Sequence, residues 1–129
     1  MMIINKKTSQ PLKKEDNSSY ILYMDNRAII SPAQKYIIEL PYFKDYIDNE
    51  YFLFEPDMYL IKDGLMILGH NFNQKESTES MKILIFNINM HEKLYEKKDN
   101  KNFFRFNEAG TVDLKPGTVL GKIFEIKQK

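Results

Sequence analysis

The chain has 129 residues, of which 43% are apolar and 13% aromatic, enough for one compact domain with a hydrophobic core. Nineteen basic residues balance eighteen acidic ones, so no global charge draws the protein to nucleic acid or anionic lipid. The sequence has no cysteine, which excludes disulfides, thiol catalysis and cysteine zinc sites, and its two histidines argue against a histidine metal cluster.

The N-terminal part of the sequence is polar. Its longest apolar run is residues 1–4, which is too short for a signal-peptide core or a membrane span. We therefore expect a soluble protein, inside the cell or in a virion, with no signal peptide, no transmembrane segment and no membrane partner. Residues 1–17 are predicted to form a polar arm that orders only against a partner, and residues 18–129 to form a single β domain.

From Tyr20 onward the sequence consists of short apolar runs separated by turn residues. The runs are rich in Ile, Tyr and Phe, as expected for strands buried on one or both faces. They cover residues 20–24, 28–31, 35–40, 51–55, 58–61, 65–68, 81–88, 103–106 and 119–126. Roughly ten short strands of this kind predict an all-β, jelly-roll-like fold, built as a sandwich or a distorted barrel.

Turn residues support the same fold class. Asp63-Gly64 separates two of the runs, and Pro116-Gly117 fits a type II turn, because glycine supplies the positive φ at the third position. Residues 90–98 are the best helical candidate, but they are few and highly charged. The pattern therefore predicts strands joined by tight turns.

Two motifs fail as catalytic sites on their spacing. Residues 117–122 are similar to a phosphate-binding loop, but the glycines are one residue too close and Ile123 replaces the magnesium-binding Ser or Thr. A strand is also predicted after the loop, so no helix N-terminus is available for phosphate. Neither His70 nor His91 has a second ligand two or four residues away, so we interpret both as turn or interface residues.

Two charged regions stand out in the linear sequence. Acidic residues are scattered through the middle of the chain without an EF-hand spacing, which is typical of a solvated rim. They are Asp45, Asp48, Glu50, Glu55, Asp57 and Asp63. Four lysines in residues 93–101 lie near aromatic residues, a mixture that binds single-stranded nucleic acid. Because Glu92, Glu96 and Asp99 are interleaved with them, we expect nucleic acid to be an unlikely partner.

Four segments carry a resemblance to a known family. Residues 18–23 are similar to its Ser-Ala-Gly-Tyr-Asp-Leu strand, and residues 56–65 to its Pro-Arg-Ser-Gly-Leu-Ala motif. Residues 81–87 look like its strand that ends in Phe-Asn, and residues 117–123 like its Gly-Asp-Arg-Ile-Ala-Gln-Leu motif. The order and spacing of these segments resemble the homotrimeric dUTP pyrophosphatases (dUTPases), whose fold the dCTP deaminases share.

The departures from this family fall on its first two chemical motifs. The metal-side aspartate would fall at Ile21 or Leu22, which leaves Asp25 as a displaced substitute. The phosphate-binding arginine and serine become Asp57 and Met58, so that an anion faces the place where a triphosphate would lie. The resemblance therefore implies weakened binding of metal and phosphate.

The later motifs depart as well. The Val-Ile-Asp whose carboxylate activates water is matched by residues 70–72 or 71–73, where Asn71 and Asn73 cannot act as general bases near neutral pH. The tyrosine that covers uracil is absent from residues 74–80, a polar segment that also looks lengthened. Lys122 replaces the glutamine of the fourth motif, and no Arg- and Gly-rich lid motif occurs before Lys129.

These losses favour a fold that is kept without its reaction. We expect a non-catalytic homotrimeric structural or assembly module, for example a viral capsid or decoration component, whose partners are its own copies and other protein subunits. Such a module has no catalytic residues, no metal and no cofactor. The alternative is a divergent dUTP nucleotidohydrolase, which would use Mg²⁺, or a nucleotide-binding regulator. Its site would be the degenerate nucleotide positions Asp25, Asp57, Asn71, Asn73 and Lys122.

Overall fold

The computed structural model describes residues 2–15, 19–45, 50–73, 79–89, 92–98, 101–107 and 110–127. Within them, one short helix, α1 (Met58–Lys62), accompanies twelve strands. The strands are β1 (Met2–Asn5), β2 (Ser19–Tyr23), β3 (Ala28–Ile30), β4 (Lys35–Glu39), β5 (Tyr42–Asp45), β6 (Glu50–Pro56), β7 (Leu65–His70), β8 (Lys82–Asn87), β9 (Glu92–Lys98), β10 (Lys101–Asn107), β11 (Val112–Leu114) and β12 (Val119–Lys127). His91, Asp48, Asp99 and residues 74–78 of the polar segment lie outside the described residues.

All the described strand pairs are antiparallel. The two larger sheets have the orders β2-β12-β6 and β4-β8-β7. Three smaller pairs join β1 to β5, β3 to β11 and β9 to β10. This architecture confirms the predicted all-β class.

The core is formed where strand alternation turns apolar residues inward. On β8, Ile83 and Ile85 are buried while the residues between them are only half-buried, which is the period of two that a strand requires. Ile123, at the centre of β12, is also fully buried and lies opposite Tyr20 on one side and Phe54 on the other. Both sheets therefore contribute to one continuous cluster.

A buried asparagine connects the sheets. The Asn87 side chain is fully buried at the end of β8, and its Nδ2 donates to the carbonyl oxygens of Ile30, at 3.0 Å, and Gly110, at 2.8 Å. Its Oδ1 accepts the backbone N–H of Asn89 at 3.0 Å. Each polar atom of this amide is satisfied, which a buried polar group needs in order not to destabilise the fold.

Two glycines have conformational roles that other residues would fill poorly. Gly117 has φ +86° in a turn where the Thr118 N–H bonds to the Lys115 carbonyl at 3.1 Å, which confirms the turn predicted at Pro116-Gly117. Gly121 lies at an irregularity in the pairing of β12, and a Cβ there would collide with the backbone carbonyl oxygen of Glu55. Glycine thus permits β6 and β12 to approach closely.

One predicted strand is a helix. The run at residues 58–61 forms α1, in which only Leu60 is buried and Met58, Tyr59 and Ile61 are exposed. The Asp57 side chain accepts the Tyr59 N–H at the helix start, so the local hydrogen bonds stabilise the turn of helix. Four consecutive apolar residues are compatible with a strand and with a short helix, so the sequence pattern does not separate the two. The strand prediction for residues 58–61 was wrong.

The described part of the helical candidate at residues 90–98 is a strand, in agreement with the all-β prediction that set this candidate aside. Residues 92–98 form β9, which pairs along its whole length with β10. Cross-strand pairing over seven residues supplies the backbone hydrogen bonds that a short, highly charged helix would have to make alone. Strands β1, β5 and β11, which are three or four residues long, were not predicted either.

The described N-terminal residues form part of the folded β structure. β1 pairs with β5, Ile3 is fully buried, and the Leu12 N–H bonds to the Ile3 carbonyl at 2.7 Å. This differs from the expectation of an arm that orders only against a partner, since two apolar residues of the segment reach the core. No helix in the described part of the chain has the length and apolar character needed to span a membrane.

Candidate functional site

Asn71 closes the hairpin between β7 and β8, where the resemblance places the water-activating motif. Its Nδ2 donates to the Ser80 carbonyl oxygen at 2.9 Å, and its Oδ1 accepts the Lys82 backbone N–H at 2.7 Å. The Asn71 side chain, which follows β7, thus forms two hydrogen bonds to the backbone where β8 begins. It takes the place that a backbone peptide group would have there. Both ends of this side chain have structural partners.

Asn73 connects the same hairpin to β6. Its Oδ1 accepts the Phe52 N–H at 2.6 Å, and its Nδ2 donates to the Phe52 carbonyl oxygen at 3.0 Å. This reciprocal pair of bonds copies the pattern between two residues of an antiparallel ladder. The second asparagine of the candidate site therefore also has a structural role.

Phe72, between the two asparagines, is fully buried. Its ring stacks on His70 with centroids 4.4 Å apart and meets the edge of Phe54 at 5.4 Å. Lys44 Nζ donates to the Phe72 carbonyl oxygen. The hairpin is thus packed onto the domain by an aromatic cluster, defined as Phe54, His70 and Phe72, at a position where the family has polar chemistry.

Lys44 beside this cluster and His70 within it have shifted pKa values. The Lys44 side chain is buried, and burial lowers the pKa of its ammonium group. Burial also lowers the pKa of His70, and the nearby Lys44 charge lowers it further. A lowered pKa favours the neutral form of His70, whose Nδ1 accepts the Phe72 N–H at 3.3 Å. Sequence reasoning missed Lys44, because nothing local marks a lysine that distant residues bury.

Asp57 begins helix α1. Its carboxylate accepts the Tyr59 N–H at 3.2 Å, and its backbone N–H donates to the Leu120 carbonyl oxygen at 3.0 Å. Met58, at the position of the family's serine, is 65% exposed. An N-cap carboxylate stabilises the first turn of the helix, and its negative charge repels phosphate.

Lys122 lies on the outer face of the sheet β2-β12-β6, and it is exposed. It lies opposite Ile21 on β2 and opposite Glu55 on β6. Because its neighbour Gly121 pairs with Pro56, the structure brings Lys122 and Asp57 to adjoining positions at one end of the sheet. Lys122 and Asp57 therefore lie near each other, but the acidic residue Glu55 lies directly opposite Lys122.

Asp25 comes soon after β2 and is bound by the N-terminal segment. The Lys7 Nζ lies 2.5 Å from Asp25 Oδ2, and the neighbouring Lys6 Nζ donates to Ser80 Oγ at 2.6 Å. A cavity of about 380 Å³ adjoins these groups, with Glu39 in its wall. The carboxylate proposed as a displaced metal ligand therefore has a cation as its partner.

The five candidates do not form one site within a single chain. Asp57 lies near Lys122, Asn71 and Asn73 lie together in the hairpin, and Asp25 lies beside the N-terminal segment. Among the described residues, no three His, Cys, Asp or Glu side chains gather in a way that could hold a metal ion.

Comparison with known proteins settles the fold. No family model matches the sequence, and no curated protein matches it. The dUTPase from phage phi11 of S. aureus is 10% identical, with 98% of this chain and 89% of that chain covered and a TM-score of 0.72. A point mutant of the dUTPase from phage 80alpha is 12% identical, with 98% and 83% covered and a TM-score of 0.70.

The chain has the dUTPase fold. Native EIAV dUTPase, 15% identical, also matches, with 90% of this chain and 80% of that chain covered and a TM-score of 0.62. The dUTPase resemblance found in the sequence is thereby confirmed at the level of the fold. A structure of a phi11 dUTPase point mutant describes the coordination of a structural Mg(II) ion in that protein.

Proposed function

We propose that this chain is a non-catalytic module with the dUTPase fold that assembles with itself, as a homotrimer. The observation that carries the proposal is the hairpin after β7. Both amides of Asn71 and Asn73 are used by backbone groups, and Phe72 between them is buried in the core. A general base that could activate water is therefore missing from the described segment where the resemblance requires one.

The phosphate side of the site supports the same proposal. Asp57 caps α1 with a carboxylate, whereas phosphoryl transfer needs cations or N–H groups around the phosphates. Lys122 is the only one of the five candidates with a positive charge, and it lies opposite Glu55. Water activation and phosphate binding each supply orders of magnitude in rate, so the loss of both removes most of the catalytic power.

Self-association is supported by apolar residues on the outer faces of the sheets. Ile37 on β4 is 61% exposed and Leu53 on β6 is 55% exposed, although each lies in the middle of its strand. Ile126 and Met66 are close to half exposed in the same two sheets. Apolar surfaces of this kind mark interaction sites, and the dUTPase resemblance implies that the partner is two further copies of the chain.

The biological setting proposed with this module is a viral capsid or its decoration. A rigid domain with apolar faces suits a shell of repeated subunits, and the solved structures that it resembles include phage and EIAV proteins. This setting predicts that the trimer forms without nucleotide. It also predicts a surface that remains available for other protein subunits.

The catalytic part of the proposal is tested with dUTP and Mg²⁺. We expect no pyrophosphate release above that of a Lys122→Ala control, and no rise in melting temperature with millimolar dUTP. Ligand at about 100 times its Kd would stabilise the fold by about 2.7 kcal/mol, which a melting curve detects easily. Turnover that Lys122→Ala abolishes would contradict the proposal.

The assembly part is tested by light scattering. We expect a mass of about 46 kDa at micromolar concentration, three times the 15.4 kDa of the chain. Ile37→Glu and Leu53→Glu place a charge on the outer face of one sheet each, and at least one should lower the mass to that of a monomer. A wild-type protein that stays monomeric would rule out the trimer.

A nucleotide-binding regulator is the second candidate. It is favoured by the likeness to the dUTPase of phage 80alpha, because phage dUTPases control the transfer of virulence genes. The same experiment separates the two candidates, because a regulator would gain melting temperature with dUTP and release no pyrophosphate. A module that acts only in assembly would show neither effect.

A further inference from the structure

Strands β9 and β10 form a ribbon of seven residues on each side. Within the described part of the chain this pair is a separate two-stranded sheet, paired with no other strand. The register runs from Lys101 opposite Lys98 to Asn107 opposite Glu92. A two-stranded ribbon alone is only marginally stable in water, so it needs stabilising contacts beyond its own two strands.

The register separates residue types that are mixed in the linear sequence. Successive residues of a strand belong to opposite faces, and residues directly opposite each other share a face. One face, called here the aromatic face, contains Lys93, Tyr95, Lys97, Asn102, Phe104 and Phe106. The other, called the mixed face, contains all the acidic residues of the two strands together with Lys98, Lys101, Phe103 and Arg105.

This separation removes the argument that made nucleic acid an unlikely partner. Glu92 and Glu96 alternate with lysines along β9, but both belong to the mixed face. Lys93 and Lys97 therefore share a face with aromatic residues and with no acidic one. The ribbon as a whole also has more basic than acidic residues in its strands.

We propose that the aromatic face binds single-stranded nucleic acid. Aromatic residues stack on bases of any sequence, and lysines bind the phosphates between them. Tyr95 lies directly opposite Phe104, and the pair Lys93 and Phe106 lies next to it on the same face. Neighbouring pairs on one face are about 6.8 Å apart along a strand, so bases and phosphates can be contacted in succession.

The residue types favour this ligand over two others. A duplex keeps its bases stacked inside, so it offers nothing to Tyr95, Phe104 and Phe106. A protein partner would also be attracted to aromatic residues, but lysine is depleted from the centre of protein interfaces. The aromatic face combines two lysines with aromatic residues and contains no acidic residue. This combination fits single-stranded nucleic acid, which has a flexible chain of phosphates and accessible bases.

The test measures the binding of a fluorescent oligo(dT) of about 15 nucleotides by anisotropy, because single-strand sites span about 4–16 nucleotides. The full chain is compared with two double variants that lose the same charge, Lys93→Gln/Lys97→Gln on the aromatic face and Lys98→Gln/Lys101→Gln on the mixed face. A second matched pair is Phe104→Ala and Phe103→Ala. Circular dichroism and hydrodynamic mass verify that each variant keeps its fold.

We expect the aromatic-face lysine variant to bind at least tenfold more weakly at 50 mM salt. Its slope of log K against log salt should fall by about 1.4, the value for two lost contacts on a single strand. Phe104→Ala should weaken binding at least about fivefold, as expected for one lost base stack. The two mixed-face variants should stay within about twofold of the wild type, because they lie away from the stacking face.

Three results would overturn the proposal. One is no anisotropy change with wild-type protein at 100 μM and 50 mM salt. Another is equal losses for the two lysine variants, which would mean unspecific attraction. The third is binding to a duplex as tight as to the single strand, which would remove stacking from the explanation. None of these results is measured as dUTP turnover or as the mass of the trimer. Failure of this proposal can therefore be distinguished from failure of the proposed function.

Discussion

Two antiparallel hairpins succeed each other in the chain and use their residues differently. In the β7/β8 hairpin, the amides of Asn71 and Asn73 and the ring of Phe72 all have partners inside the domain. In the β9/β10 ribbon, the described strands pair only with each other. The first hairpin occupies the position of the family's chemistry but serves the fold, whereas the second is the ribbon for which we propose a nucleic acid partner.

Under the non-catalytic role that we propose, the difference shows how the position of a site can be filled without leaving a cavity. A missing carboxylate in an open cleft would leave unpaired polar groups, which are costly when buried. Here the aromatic cluster fills the hairpin, and each asparagine satisfies two backbone groups. The hairpin therefore gains stability from its aromatic cluster and from both asparagines.

The largest expected effect separates the two hairpins by stability. Phe72→Ala should destabilise the protein by about 3–5 kcal/mol, because a buried phenyl ring leaves a cavity. We expect the melting temperature to fall by more than about 10 °C. Phe104→Ala in the ribbon should shift it far less. Equal shifts would mean that the ribbon is packed on the domain, and the comparison would fail.

A smaller effect tests whether the hairpin amides are structural. Asn73→Ala should cost about 1–3 kcal/mol in urea unfolding, because it leaves both backbone groups of Phe52 without their partner. Asn73→Asp keeps the acceptor but turns the donor toward Phe52 into a second acceptor, so it should also destabilise. Pyrophosphatase activity gained by Asn73→Asp would argue for a residual catalytic site instead.

The smallest effect is a pH dependence of the aromatic cluster. The pKa of His70 is lowered in the folded state by burial and by Lys44, so the unfolded chain binds its proton more readily. The stability from neutral His70 is therefore complete above a pH of about 6.5 and is lost as the pH falls below it. In His70→Phe, the melting temperature should fall less between pH 7.5 and pH 5 than in the wild type. An unchanged slope would mean that His70 does not titrate in this way.

The sequence carries the strand pattern well where burial alternates along the strand. β8 is an example, since its buried and half-buried residues have a period of two. The turn at Pro116-Gly117 is equally local, because it depends on one glycine with positive φ. Helix α1 was missed because it depends on a cap at Asp57 and has only five residues. An element that depends on a single long-range or capping contact does not change the spacing of apolar residues, so this spacing cannot predict it.

For the candidate site, the sequence predicted which family residues are missing but not which contacts the replacing residues make. The resemblance located the hairpin and the positions Asn71 and Asn73 within it. It could not reveal that both amides bind the backbone, because Phe52 and Ser80 lie far away in sequence. Lys44 was missed for the same reason, since distant residues around Phe72 bury it. The separation of lysines from acidic residues in the ribbon needed the register with β10.

The place of β12 has a consequence for how the chain folds. It comes after every other described strand in the sequence, yet it lies between β2 and β6 and completes their sheet. During synthesis, β2 and β6 leave the ribosome with unpaired edges, and contacts of such long sequence separation form slowly. Nascent chains are then exposed to pairing with each other.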